Sequence, residues 1–254
     1  MSASRPVIVF IPGSFEPASL YTTVVADLES HGYEAHAIEL ETVGRRDTPP
    51  SMYDDAAKVA SLIHKLADEG KDVVLVPHSY GGMVACEASK GLAKSVRERE
   101  GKRGGVAKIV FVTAVAPLLG QSVKDLFPAG ALDFTSQRMD ICKPTQLQSQ
   151  RSGDLPFDEA FAIASKLPDH VAASYTQPIT YAPYKDIPSS YLFCENDKLI
   201  VPELQEKMIA GMESEMPMGT KVDRHSVKAD HGIVLSQPKA VVEVVRRVVG
   251  GTAE

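Results

Sequence analysis

Cysteine is scarce and poorly spaced for bridging. The chain has three, Cys86, Cys142 and Cys194. An odd number at wide spacing argues against a disulfide framework and for a reducing, cytoplasmic setting. No pair of His or Cys residues shows ligand spacing, so no metal is expected. A basic tract with interleaved aromatics is also missing, and the formal net charge is −6. Nucleic acid is therefore not an expected partner, and the acidic excess serves solubility. No apolar run approaches the length that spans a bilayer, so no membrane association is expected. The run Val7–Ile11, preceded by Arg5, is too short for a signal-peptide core. What remains is an ordinary globular composition, 44% hydrophobic and 24% charged. The 254 residues can bury a core without disulfides or metals. An α/β fold often uses this much chain for one domain.

Short β-branched apolar runs alternate with longer helical patterns. Strands are predicted at Val7–Ile11, Glu34–Leu40, Val73–Val76, Lys108–Ala114, Ser189–Cys194 and Lys221–Val227. Helices are predicted at Leu20–His31, Tyr53–Glu69, Gly82–Glu98, Pro202–Met212 and Gln237–Val249. Within the second, Ala56, Val59, Ala60, Ile63 and Leu66 recur at helical spacing. Strand–helix alternation with apolar strands implies an α/β fold with a mostly parallel sheet of about six strands, covered on both faces. From 117 to 188 no strand is evident, and short helical patterns occur near Asp158–Lys166 and Asp169–Tyr175. A structureless loop of that length is improbable in a compact domain. The expected organisation is a core of 1–116 and 189–254, with 117–188 inserted as a helical lid. Ser89–Gly105, rich in Lys, Arg, Glu and Gly, reads as a solvated helix end and a flexible loop.

The segment Val73-Val-Leu-Val-Pro-His-Ser79-Tyr-Gly81-Gly82-Met-Val-Ala-Cys86 runs an apolar strand through a serine into an apolar helix. That is the context of a nucleophile elbow. The serine must project from a tight turn, and strand and helix then approach closely, so small residues must follow; Gly81 and Gly82 do. Pro77 stands where a glycine is usual and is tolerable because the strand is ending. A serine there can also serve simply as a helix N-cap. The N–H of Tyr80 is a candidate oxyanion donor in the helix N-terminal field. A second donor is expected from the loop Pro12-Gly13-Ser14-Phe15, at Ser14 or alternatively at Phe15.

The base and the acid should lie on the same sheet edge, beyond the carboxyl ends of the strands. Of seven histidines, His31, His36, His64, His78 and His170 fall in or beside predicted elements. His225 lies inside the last strand. His231 follows that strand in Lys228-Ala-Asp-His231-Gly232. Asp197 ends a strand in Tyr191-Leu-Phe-Cys-Glu-Asn-Asp197, in the chain order Ser, Asp, His. Glu195 is the runner-up acid, and Asp230 adjoins His231 too closely to reach its ring. The three together point to acyl transfer with Ser79 as nucleophile, His231 as base and Asp197 as the group orienting the base.

The chain resembles the α/β-hydrolase superfamily along nearly its whole length. It is most similar to the plant methylesterase and hydroxynitrile lyase branch and its fungal relatives. The resemblance rests on Pro12-Gly13-Ser14, the His-Ser-Tyr-Gly-Gly elbow and Glu-Asn-Asp-Lys-Leu-Ile-Val-Pro around Asp197. Asp154-Leu-Pro-Phe-Asp-Glu and the stretch 178–188 look like the fungal members. The family often opens its oxyanion loop with His-Gly; here Pro12 stands in the His position. The resemblance implies a Ser79–Asp197–His231 triad, an oxyanion hole at Ser14 and Tyr80, no cofactor, and a small ester or lactone as partner. Lyases of this branch carry a lysine after the catalytic histidine, and Gly232 takes that place here, which disfavours cyanide release. A receptor or pathway cyclase on the same scaffold is the alternative class. Phe15, Leu126, Phe127, Phe134, Met139 and Tyr175 are the candidate pocket residues, and a homodimer is compatible with the sequence.

Overall fold

A computed structural model describes residues 5–127 and 153–250. Six parallel strands form one sheet: β1 Val7–Ile11, β2 Ala35–Ala37, β3 Asp72–Pro77, β4 Gly105–Val112, β5 Ser189–Cys194 and β6 Asp223–Val227. Their order is β2-β1-β3-β4-β5-β6, so the winding reverses between β1 and β3. That reversal opens a crevice at the carboxyl ends of the strands, where α/β sheets place their chemistry.

The strands alternate between two cores. Val9, Ile11, Leu75, Ile109, Phe111, Tyr191 and Phe193 face one side. Ile8, Phe10, Val74, Val76, Val110, Val112 and Leu192 face the other. The first core is closed by helices α2 (Met52–Asp68) and α3 (Gly81–Ala88) and by the helix Pro202–Glu215. The second is closed by α1 (Thr22–Ser30) and the last helix, Pro238–Val248. Helix α2 starts at a capping box: Ser51 accepts from the Asp54 N–H, and the Asp54 carboxylate accepts from the Ser51 N–H. Its stripe Met52, Ala56, Val59, Ile63 and Leu66 is buried. Each of the large members contributes about 1.5–3 kcal/mol.

Several boundaries differ from the sequence pattern for identifiable reasons. β2 is shorter than Glu34–Leu40 because only β1 pairs with it. β4 ends at Val112, before Ala114, because Thr113 has φ 35° and cannot continue a strand. The pattern Gly82–Glu98 is two helices, not one. Gly91 at φ 73° turns the chain after α3, and α4 forms at Lys94–Arg99. The stretch 89–105 is solvated in part, with 90–91 and 98–103 exposed, but it is anchored at both ends by buried residues. Arg97 is buried, donating to Asp68 Oδ1 at 2.7 Å and to the Gly104 carbonyl at 3.0 Å.

Between β4 and β5 the described residues form short helices at Val123–Leu126 and Phe157–Ala164, and 3-10 turns at Ala172–Thr176 and Pro183–Lys185. The predicted helix at Asp169–Tyr175 is thus replaced by a later 3-10 turn. Backbone bonds tie this segment to the sheet side: Gly44 N–H donates to Asp169 O at 2.7 Å, and Val171 N–H to Thr42 O at 2.9 Å. None of the described helices is long and apolar enough to cross a membrane.

Candidate active site

Five loops converge at the carboxyl edge of the sheet, and the elbow after β3 is the tightest of them. Ser79 has φ 51°, a left-handed conformation that costs a residue with a Cβ about 1–2 kcal/mol. The glycines that follow are obligatory. A Cβ on Gly81 would lie 2.2 Å from the Ile11 carbonyl oxygen, and one on Gly82 would lie 1.9 Å from that of Val115. Helical bonding begins at once, with Gly81 N–H donating to His78 O and Gly82 N–H to Ser79 O. The Tyr80 N–H therefore stands ahead of the first turn of α3, where the helix field is positive.

The three predicted chemical residues meet although they are far apart in sequence. His231 Nε2 lies 2.9 Å from Ser79 Oγ, and His231 Nδ1 lies 2.7 Å from Asp197 Oδ2. His231 is fully buried, and Asp197 and Ser79 nearly so. Asp197 is saturated by donors. Oδ2 also accepts from Thr113 Oγ1 at 2.5 Å, and Oδ1 accepts from the N–H groups of Leu199 at 2.7 Å and Ile200 at 2.9 Å. Burial pushes this carboxyl upward, but the His231 charge and these hydrogen bonds outweigh it. Asp197 is held below the ordinary aspartate value.

The competitors lie elsewhere. Glu195 is exposed and accepts from Ser226 Oγ at 2.6 Å. His225 sits on β6 beside Asp223, 3.2 Å away. Asp230 turns away from the His231 ring and accepts from the N–H groups of Gly232 and Asp154. Asp154 returns the contact through the Asp230 N–H. This reciprocal clamp fastens the approach to the helix Phe157–Ala164 to the His231 loop.

The other candidates fall on two sides of this centre. Ser14 and Phe15 are buried on the loop after β1, with Phe15 at φ 67°. Among the described residues, the non-glycines at positive φ are Phe15, Ser79 and Thr113, all in these loops. Strain gathered in this way is common at functional sites. The Tyr175 ring packs 5.6 Å from that of Tyr80, and Leu126 and Phe127 join the larger core. Phe134 and Met139 lie outside the described residues. An apolar crevice of about 30 Å³ lies beside Gly232 and His78. Ala160, Ile163, Val234 and Leu235 are among its walls.

Sequence reasoning passed over four residues: Glu16, Tyr21, His78 and Thr113. Glu16, Tyr21 and Thr113 were not singled out, the last two lying inside a predicted helix and a predicted strand. His78 was set aside with the histidines that fall in or beside predicted elements. It is satisfied and buried, but its partners are Glu16 and the His231 carbonyl, within the site itself.

Comparison with known proteins agrees with this architecture. A model of the alpha/beta hydrolase family matches residues 8–244. A probable hydrolase, R7, of a Phoma species is 31% identical, over 97% of this chain and 99% of its own. The alpha/beta hydrolase nvfD of Aspergillus novofumigatus is 28% identical, over 98% and 99%. Among solved structures, an extracellular α/β-hydrolase from a Paenibacillus species superposes with TM-score 0.75 at 23% identity, covering 95% of this chain and 98% of that one. Polyneuridine aldehyde esterase superposes with TM-score 0.74 at 19% identity, covering 96% and 99%. The six-stranded parallel sheet, the strained serine at its switch point and a family match spanning nearly the whole chain converge, and the chain belongs to the α/β hydrolase family.

Proposed function

We propose that this protein is a serine hydrolase that cleaves a small ester, thioester or lactone through an acyl-enzyme, without metal or cofactor. One observation carries the proposal: the continuous line Ser79 Oγ to His231 Nε2 at 2.9 Å and His231 Nδ1 to Asp197 Oδ2 at 2.7 Å, starting from a serine at φ 51°. His231 Nδ1–H donates to Asp197, which leaves Nε2 as the acceptor facing Ser79. Nε2 takes the Ser79 proton as Oγ bonds to the substrate carbonyl carbon. Negative charge then builds on the carbonyl oxygen, towards the N–H of Tyr80 and a second N–H from Ser14 or Phe15. Collapse breaks the bond to the leaving oxygen or sulfur, which receives the proton from His231. Water repeats the sequence on the acyl-enzyme and frees Ser79.

The name of polyneuridine aldehyde esterase supports an ester rather than an amide as substrate class. On this reading the described parts of the insertion, 117–127 and 153–188, act as a cap over the site, and Phe15, Tyr175, Leu126 and Phe127 supply its apolar side. Two measurements test the reading. A fluorophosphonate should label Ser79 and should not label a Ser79→Ala variant. The kcat/KM for a short p-nitrophenyl ester should fall with unit slope as pH drops through roughly 6 to 7, where an ordinary imidazole takes its proton. Labelling that persists in Ser79→Ala would sink the assignment.

A further inference from the structure

A second polar cluster lies directly behind the triad. Glu16 and His78 are almost completely withdrawn from water, 4% and 1% exposed. Three groups converge on Glu16 Oε2: the Gly13 N–H at 2.7 Å, the Tyr21 O–H at 2.6 Å and His78 Nδ1 at 3.0 Å. The other ring nitrogen, His78 Nε2, lies 2.8 Å from the carbonyl oxygen of His231. A carbonyl only accepts, so Nε2 carries a proton. The Tyr21 hydroxyl lies 2.6 Å from Oε2 and 3.2 Å from His78 Nδ1, and its single proton goes to the closer acceptor, Oε2. The line from Nδ1 to Oε2 therefore needs a proton of its own, since two lone pairs would otherwise face each other in a buried site. Glu16 and His78 hold that proton between them, and the pair is neutral overall whichever atom keeps it.

Neither side chain bonds to Ser79 Oγ, yet together they reach the oxyanion loop, the elbow and the base loop. Through Glu16 the pair holds Gly13, which precedes the candidate oxyanion donors Ser14 and Phe15. Through His78 Nε2 it holds the main chain of His231, and the two imidazole rings lie 4.9 Å apart. His78 itself is the residue before Ser79. Little slack exists between these loops: a Cβ on Gly13 would lie 2.9 Å from Ser79 Cβ and 2.8 Å from Glu16 Oε2. An apolar pair would fill the same space without the desolvation penalty of buried ionisable groups. What it would lack is directional bonds to two separate loops.

We infer that Glu16 and His78 are positioning residues, a proton-sharing pair that sets the oxyanion loop and the base loop at their working distance from Ser79. The inference rests on the hydrolase reading above. It assigns the pair to the transition state and not to substrate binding, because donors displaced by as little as 1 Å cost about 10²-fold in rate.

Glu16→Gln and His78→Gln should each lower kcat about 10- to 100-fold, with KM within about threefold of wild type. Fluorophosphonate labelling of Ser79 should slow by the same factor as kcat. The double variant Glu16→Gln/His78→Gln should lose clearly less than the product of the two single losses, because both changes break the same Glu16–His78 bond. A merely structural pair would lower the melting temperature and leave kcat per titrated active site unaltered. That result, a double variant whose loss is the product of the two, or a change confined to KM would overturn the inference. If a single variant does not fold, the double variant, which leaves no buried charge, is read alone. A wild-type labelling rate then refutes the positioning role, and a loss of tenfold or more at constant KM supports it. Failure of the wild-type chain itself to label marks the failure of the hydrolase reading instead.

Discussion

Two buried aspartates sit under the same catalytic edge and behave in opposite ways. Asp197, on the loop after β5, accepts from Thr113, Leu199 and Ile200 and faces His231. Asp55, inside α2, accepts from the N–H and hydroxyl of Thr42 and from the Tyr80 hydroxyl. Burial pushes both upward. At Asp55 it prevails over the hydrogen bonds, so that carboxyl is raised. At Asp197 the adjacent imidazole tips the balance, and the carboxyl is lowered. Neutral donors alone do not offset the cost of burying this carboxylate's charge, whereas a partner able to carry charge does. On the hydrolase reading Asp197 is thus suited to stabilise an imidazolium during turnover, while Asp55 braces the side chain of Tyr80, whose backbone N–H is the candidate oxyanion donor.

Substitution by asparagine gives the sharpest test of that contrast. In Asp55→Asn the amide nitrogen can face two hydroxyls, those of Thr42 and Tyr80, and each can turn to accept. Turnover should stay within about tenfold of wild type, the scale of one displaced but intact hydrogen bond. In Asp197→Asn the amide nitrogen instead donates to His231 Nδ1. The imidazole proton then moves to Nε2, facing Ser79, and the base is lost. Turnover should fall by up to about 10⁴-fold with the fold retained. Steady-state kinetics on both variants with one p-nitrophenyl ester decide it. If Asp55→Asn is crippled as badly as Asp197→Asn, the two carboxylates do not divide the work in this way.

Much of this centre was legible in the sequence because its parts obey local rules. The elbow is carried by a strand, a serine and two glycines, and Gly81 and Gly82 are fixed by the backbone oxygens of Ile11 and Val115. Asp197 and His231 each follow a strand end, and chain order did the rest. The supporting contacts were not legible. Asp55 belongs to α2 and fits its helical stripe, so its sequence context reads as packing. Thr113 continues the β4 pattern, and only its φ of 35° reveals the turn that aims its hydroxyl at Asp197. The break between α3 and α4 was missed for a related reason. The charges of 89–105 suggested solvent, while Arg97 lies buried against Asp68 and Gly104. Partners separated by dozens of residues leave no periodic trace.

A smaller effect should appear at the elbow, where geometry and stability oppose each other. Ser79 occupies a left-handed conformation that glycine adopts freely. Ser79→Gly should therefore abolish turnover while stabilising the chain by about 1 kcal/mol, the lower end of the left-handed penalty. For a chain of this size that corresponds to a rise of about 2–4 °C in melting temperature. Ser79→Ala, which keeps the Cβ, should abolish turnover without that rise. Equal melting temperatures for the two variants would show that the elbow is unstrained.

The smallest expected effect returns to the two aspartates and concerns sign. Asp197 is depressed in the folded state, so its contribution to stability is fully present above the unfolded value of about 3.9 and is lost as pH falls below it. Asp55 is raised, so the folded chain binds its proton more readily than the unfolded chain. Its ionised form therefore costs stability at neutral pH, and that cost fades as pH falls through the raised value towards about 3.9. Replacement by neutral asparagine should invert these trends. Relative to wild type, Asp197→Asn should melt lower at pH 7, with a deficit that narrows only below about pH 4. Asp55→Asn should compare most favourably with wild type at pH 7 and lose ground steadily as the medium becomes acidic. Melting curves of the three proteins from pH 7 down to the acid transition measure both differences directly. Two differences that run in the same direction with pH would mean that His231 does not set Asp197 apart from Asp55, and the charge division between the two buried carboxylates would have to be abandoned.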